Sequence, residues 1–183
     1  MIELYAITDH PSPPLPDVAA LSLAPMDGLA AVCAPAGAGE VTPDALWRHE
    51  EVVEELMRSR DLLPVRYGTR LEDERAAARA LAERRRELSA ALDRVRGAVE
   101  LSLRVAIPER QTPADREAVI RTVHEPLAIL ARESRRRSMR AAYLVDRMAV
   151  EPFTALVSRL QDANPQLGLL LTGPWPPYSF AGP

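Results

Sequence analysis

Val99-Glu100-Leu101-Ser102-Leu103-Arg104-Val105-Ala106-Ile107 decides the fold class. Every second residue is a sizeable apolar side chain, and Glu100, Ser102, Arg104 and Ala106 fill the places between them. Period-two alternation is the mark of a strand with one dry and one wet face. Downstream, Thr112-Pro113 opens a helix with a hydroxyl cap and a proline at the first helical position. Val119, Val123, Leu127 and Leu130 give that helix an apolar stripe, and Pro126 should kink or split it near Glu125. Ala141 to Val145 reads as a strand. Val150, Phe153, Val157 and Leu160 mark a short amphipathic helix with Pro152 in its first turn, and Leu167 to Thr172 reads as the last strand. This β-α-β-α-β order predicts an α+β sandwich with helices on one sheet face, related to ferredoxin-like folds, with one expected strand missing from the pattern.

Upstream, about Leu71 to Arg96 reads as one long helix ended by Gly97. Ala78, Leu81, Leu88, Leu92 and Val95 form a narrow apolar seam with Arg85 in the missing position. At 1.5 Å per residue such a helix spans about 40 Å, too long for one small sheet to cover. It is expected to bridge two halves or to pack on a partner. The N-terminal part predicts strands at Ile2 to Thr8, Val18 to Leu23, Gly28 to Cys33 and Leu62 to Tyr67. A proline loop (Pro11, Pro13, Pro14, Pro16) and a Pro25 to Gly28 turn separate the first three. Thr42-Pro43 starts a helix to about Arg60 with Leu46, Val53 and Leu56 on one face. The expected organisation is an N-terminal α+β domain over residues 1–70, a bridging helix over 71–97, and a C-terminal ferredoxin-like α+β domain over 98–183 that ends in an aromatic and proline-rich tail.

Composition narrows the function. The 183 residues are 47% apolar, 27% charged and 4% aromatic, with net charge −3 and an isoelectric point near 5.7. No overall basic field exists to collect nucleic acid or an acidic membrane. All 23 basic residues are Arg, which excludes a Schiff-base lysine and a Walker lysine. The lone Cys33 excludes an internal disulfide framework and a multi-cysteine zinc site. The N-terminus lacks a basic region followed by an apolar core, and no apolar run approaches a membrane span, so a soluble, cytoplasmic protein is expected.

Candidate chemistry is sparse. His10, His49 and His124 are scattered and are expected on surfaces, and Cys33 is expected to be a buried small hydrophobe. Arg84-Arg85-Arg86 and Arg135-Arg136-Arg137 lack interleaved aromatics and are flanked by Glu83, Glu87 and Glu133, so both read as solvated helix faces rather than nucleic-acid contacts, with docking onto an acidic partner as the alternative. Leu63-Pro64-Val65-Arg66-Tyr67-Gly68-Thr69 is a tight strand-to-helix corner in which Arg66 offers a planar five-donor fork. Gly173-Pro174-Trp175-Pro176-Pro177-Tyr178-Ser179-Phe180 holds three of the eight aromatics. It should either fold back to seal a core, which is favoured because exposed rings on a free tail invite aggregation, or insert into a partner.

These residues resemble the gas vesicle GvpL/GvpF family. The likeness is carried by Leu4-Tyr5-Ala6-Ile7, by His49-Glu50 with Val52 and Val53, and by the Leu63 to Thr69 corner. It continues through Gly97 with Val99-Glu100, Ala142-Tyr143-Leu144-Val145 and the Gly173 to Phe180 octad. The resemblance implies a two-domain α+β protein of the gas vesicle, cytoplasmic and without catalytic, metal or cofactor residues. Its implied partners are the hydrophobic shell protein GvpA and other gas vesicle proteins. The family's usual extra sequence after the second-half strand is missing here, leaving a bare connection from Ile107 to Thr112. The expected protein-contact residues are Leu81, Leu88 and Leu92 of the seam, Arg66 and Tyr67 of the corner, and Trp175, Tyr178 and Phe180 of the tail. Two other readings compete. One is a small-ligand enzyme on a ferredoxin-like scaffold, using Arg66, His49 and Glu50. The other is an RNA-binding module, which would want solvent-facing aromatics that Val99 to Ile107 lacks.

Overall fold

The structure, a computed structural model, describes residues 1–37, 42–107 and 112–182. The connection expected across residues 108–111 lies outside them. The chain divides into two compact units: Met1–Arg96 together with Pro176–Pro183, and Gly97–Trp175. The second unit is thus inserted into the first, and the tail after Trp175 belongs with the N-terminal unit rather than with the C-terminal domain expected to carry it.

In the first unit the central strand is β1 (Ile2–Asp9). It pairs antiparallel with β3 (Leu29–Pro35), which pairs in turn with β2 (Ser22–Met26). Asp27 and Gly28, at φ +46° and +83°, form the two-residue hairpin turn between β2 and β3; positive φ at both places matches the right-handed twist of the strands. The other edge of β1 is shared by β4 (Leu62–Pro64), opposite Ala6 to Thr8, and the two-residue β5 (Arg70–Leu71), opposite Ile2 and Glu3. The Val65 to Thr69 corner fills the gap between them.

Helix α1 (Pro43–Ser59) begins as its sequence dictates: Thr42 Oγ1 accepts the Ala45 N–H at 3.2 Å and Pro43 occupies the first turn. It packs on β1 and β4 through His49, Val52, Val53, Leu56 and Met57. Leu46, expected on that apolar face, is exposed instead.

The expected long helix is two helices. α2 (Glu74–Glu83), capped by Asp73, and α3 (Arg85–Val95) meet at Arg84, whose φ of −112° and ψ of +15° leave the helical range. The break falls in the seven-residue gap of the seam, and Arg85 Nε donates to the Asp27 carbonyl at 3.1 Å. α2 covers β2 and β3, and α3 packs on β4, so the segment belongs to the first unit rather than bridging two.

The second unit runs β6 (Ala98–Ala106), α4 (Pro113–Val119), α5 (Glu125–Ile129), β7 (Glu133–Arg137), β8 (Arg140–Asp146), α6 (Val150–Ala163) and β9 (Gly168–Trp175). Its antiparallel sheet has the order β7-β8-β6-β9. The strand missing from the sequence pattern is β7, a stretch expected as a solvated helix face. Between α4 and α5 the wide turn Ile120–His124 closes with the Glu125 N–H on the Ile120 carbonyl. A widened turn just ahead of Pro126 relieves the clash and the missing donor that proline brings to a helix. Leu101, Leu103 and Val105 of β6 pack with Val123, Leu127, Tyr143, Phe153 and Val157 to form the core on the helix-covered face.

Candidate functional site

Three of the motifs singled out in the sequence converge in the first unit. β1 contributes Glu3 and Tyr5, α1 contributes His49, and the corner contributes Val65, Tyr67 and Gly68. His49 is 1% exposed and Glu3 6%. Nε2 of His49 lies 2.8 Å from the Val65 carbonyl, so it must donate, which fixes a hydrogen on that nitrogen. Nδ1 lies 3.3 Å from Glu3 Oε1. The Gly68 N–H also reaches Glu3 Oε1, at 3.4 Å. Tyr5 stacks on the imidazole with centroids 4.7 Å apart, and Tyr67 meets its edge at 5.5 Å. Burial, then the neighbouring Glu3 and Tyr67, push the Tyr5 phenol upward. Backbone bonds from Val65 N to Tyr5 O and from Leu4 N to Thr69 O, both 2.9 Å, complete the clamp.

Glu3, Tyr5, His49 and Tyr67 line an open pocket of about 320 Å³, with Arg48 and Arg70 also on its wall. The arrangement rigidifies the corner and offers guanidinium and phenol groups for recognition. The candidates of the enzymatic reading are not gathered: Arg66 is exposed, His49 is committed to Val65 and Glu3, and Glu50 accepts the Tyr178 hydroxyl. Cys33 is fully buried beside Ser22, and burial raises its thiol. Among the described residues no three His, Cys, Asp or Glu side chains come together to hold a metal, and no helix is long and apolar enough to cross a membrane.

The expected contact residues fall into three groups. Leu81, Leu88 and Leu92 are 4%, 7% and 1% exposed, so in the folded chain the seam is core and not a docking surface. The spacing is that of an apolar seam, but the break at Arg84 lets both half-helices lie on the sheet of the first unit. Tyr178 and Phe180 fold back into the first unit. The Tyr178 hydroxyl donates to Glu50 Oε1 at 3.2 Å, and its pKa is raised by burial and then by Glu50 and Glu54. Phe180 is fully buried, and Arg94 donates to the Phe180 carbonyl and, at 2.8 Å, to that of Gly182. Arg66, Tyr67 and Trp175 remain at least partly accessible. Trp175, 40% exposed, ends β9 in the second unit with its indole N–H on Thr172 Oγ1 at 3.3 Å.

Two buried histidines correct the surface placement expected for them. His49 sits one turn before Val52 and Val53 and two before Leu56, so the helical period that buries those residues buries it too. His124 is 4% exposed and its Nδ1 meets the Tyr143 hydroxyl at 2.7 Å. Burial, and then the charge of Arg136, lower its pKa to about 4. Glu3 carried no signal in the sequence beyond its place in an otherwise apolar strand.

Comparison with known proteins places these observations in a family. The sequence profile described as "Gas vesicle synthesis protein GvpL/GvpF" matches residues 3–114 and 108–182. Gas vesicle protein F2 of Halobacterium salinarum is 28% identical over 151 residues, which cover 77% of this chain and 70% of that one. The crystal structure of GvpF from Anabaena sp. PCC7120 superposes with a TM-score of 0.82 at 19% identity, covering 100% of this chain and 96% of the other. That of GvpF from Microcystis aeruginosa gives 0.84 at 17%, covering 100% and 99%. At these identities the two structures speak to the fold alone, and both share this arrangement of two sheets with helices.

Proposed function

The chain belongs to the gas vesicle synthesis GvpL/GvpF family, and on that premise we propose that it serves gas vesicle formation by binding the shell protein GvpA and assisting assembly, without catalysing a reaction. The observation that carries this reading is the profile match, which runs through both units from residue 3 to residue 182. A shell subunit with an exposed apolar face aggregates before assembly unless a helper covers it. The exposed Trp175 and the Arg66-Tyr67 corner supply the anchors such a helper needs, since Trp, Tyr and Arg dominate the energetics of protein contacts. The second unit's β-α-β-β-α-β order supports its reading as a ferredoxin-like module. In this reading the protein works in the cytoplasm at the growing vesicle, with other gas vesicle proteins as further partners.

The test is capture of GvpA by the purified chain, with Trp175→Ala and Arg66→Ala compared against the wild type. Capture should fall in both variants while their melting temperatures stay within a degree or two, on the order of a surface substitution. Undiminished capture by both variants refutes these anchors. A wild-type chain that captures no GvpA refutes the binding itself.

A further inference from the structure

The register of the second sheet gathers arginines that lie apart in sequence onto one face. Residues directly opposite across antiparallel strands share a side of the sheet. Arg137 of β7 stands opposite Arg140 of β8, Arg140 opposite Arg104 of β6, and Arg104 opposite Leu170 of β9. The neighbouring row is Arg135, Ala142, Ser102 and Thr172. Leu101, Leu103, Val105, Ala141 and Tyr143 occupy the opposite face, under the helices. The arginine face is therefore the one the unit's own helices leave uncovered. Arg104, Arg135, Arg137 and Arg140 are all exposed, and Leu170 is 56% exposed among them. Arg135 pairs with Glu133 on its own strand; among the described residues Arg104, Arg137 and Arg140 have no carboxylate partner. Like charges on adjacent strands repel, and a folded chain retains such a row most readily where an external anion neutralises it.

The chain carries the complement. The two units differ in charge: residues 97–175 hold eleven Arg against nine carboxylates, while the rest of the chain holds twelve Arg against seventeen. On α1 the helical period brings Asp44, Trp47, Glu51 and Glu55 to one outward face. Asp44 and Glu51 are exposed, and Trp47 is 69% exposed, the most open aromatic among the described residues. Arg58 neutralises part of Glu55 at 2.5 Å, which leaves Asp44 and Glu51 as the open charges beside the indole. A seventeen-residue helix with carboxylates and an aromatic on its outer side fits an open sheet face that offers guanidinium groups and a leucine. Carboxylates can pair with the arginine forks, and the indole can take a guanidinium on its ring face.

We infer that the arginine face of one copy of this chain binds the outer face of α1 on a second copy, so that the protein associates with itself head to tail. The two surfaces differ, so the contact either repeats into a chain or a ring or closes reciprocally at a pair. This goes beyond the binding of GvpA and does not rest on it, because it needs only the purified chain.

The experiment is sedimentation of the purified protein across concentration, at low and at physiological salt. The wild type should form dimers or larger species at low salt and dissociate as salt rises, since the contact is charge-led. R137Q/R140Q and D44N/E51Q, each shown by circular dichroism to melt like the wild type, should each weaken association by about tenfold or more. Mixing the two variants should then give a one-to-one pair that grows no further, because one intact face of each kind remains between them. Three results overturn the inference: a wild type that stays monomeric at low salt, either variant associating as the wild type does, or a mixture that forms no pair. None of these bears on capture of GvpA by Trp175 and Arg66.

Discussion

Lowering the pH from 7 to 5 should destabilise the second unit through one residue, His124. In the unfolded chain its imidazole titrates near 6.5; in the folded unit burial and Arg136 hold it down to about 4. A base whose folded pKa is depressed favours the neutral form, so its stabilising contribution is complete above 6.5 and is lost progressively as pH falls towards 4. Each pKa unit is worth about 1.4 kcal/mol, so the full loss is roughly 3 kcal/mol, of which about 2 kcal/mol is spent by pH 5. The control is His124→Gln, which keeps an acceptor for the Tyr143 hydroxyl and removes the titration. Urea unfolding followed by Trp175 fluorescence in a Trp47→Phe background reports on the second unit, since Trp175 is then the chain's single tryptophan. The stability gap between wild type and His124→Gln should narrow by about 2 kcal/mol between pH 7 and 5. A gap that stays constant across that range would refute the claim that His124 is held neutral by its surroundings.

Two further outcomes follow from packing and backbone geometry. Phe180→Ala empties a fully buried site in the first unit and should cost about 3–5 kcal/mol, read as a large drop in melting temperature. A drop below about 1 kcal/mol would place the ring at the surface. Gly173→Ala puts a methyl group 2.8 Å from the Glu100 carbonyl at a φ of +114°, a conformation that alanine adopts only under strain, and should destabilise the second unit by roughly 1–3 kcal/mol. Urea midpoints monitored by Trp175 check it, and an unchanged midpoint would contradict the close approach.

Local rules were legible where one effect dominates. The alternation in β6, the Thr42-Pro43 helix start and the trouble at Pro126 each follow from neighbours in sequence, and each stands in the structure; the turn expected over Pro25 to Gly28 tightens to Asp27-Gly28, because β3 offers Pro25 and Met26 a ladder and shifts the strand expected at Val18 to Leu23 to Ser22–Met26. The misses share a cause: they turn on partners distant in sequence. Glu133 to Arg137 has the charge pattern of a wet helix, yet it forms an edge strand because β8 offers it a ladder, and charges suit an edge that must not pair further. The gap in the Ala78 to Val95 seam was visible, but only the sheet beneath shows that a break at Arg84 lets both halves bury their leucines. His49 looked like a surface base because its partners, Glu3 and Val65, come from two other elements. The longest apolar pattern belongs to the core, which is why it offers no docking surface.

Phe180 and Tyr178 complete the unit that Met1 begins, with the whole second unit threaded between them and the rest of it. Domains ordinarily fold in the order the ribosome delivers them. Here the half made first waits for Tyr178 and Phe180, and the site they fill stays open throughout synthesis of residues 97–175. A nascent chain stalled or clipped anywhere short of Phe180 therefore carries an unfinished N-terminal half, with apolar surface left open to water.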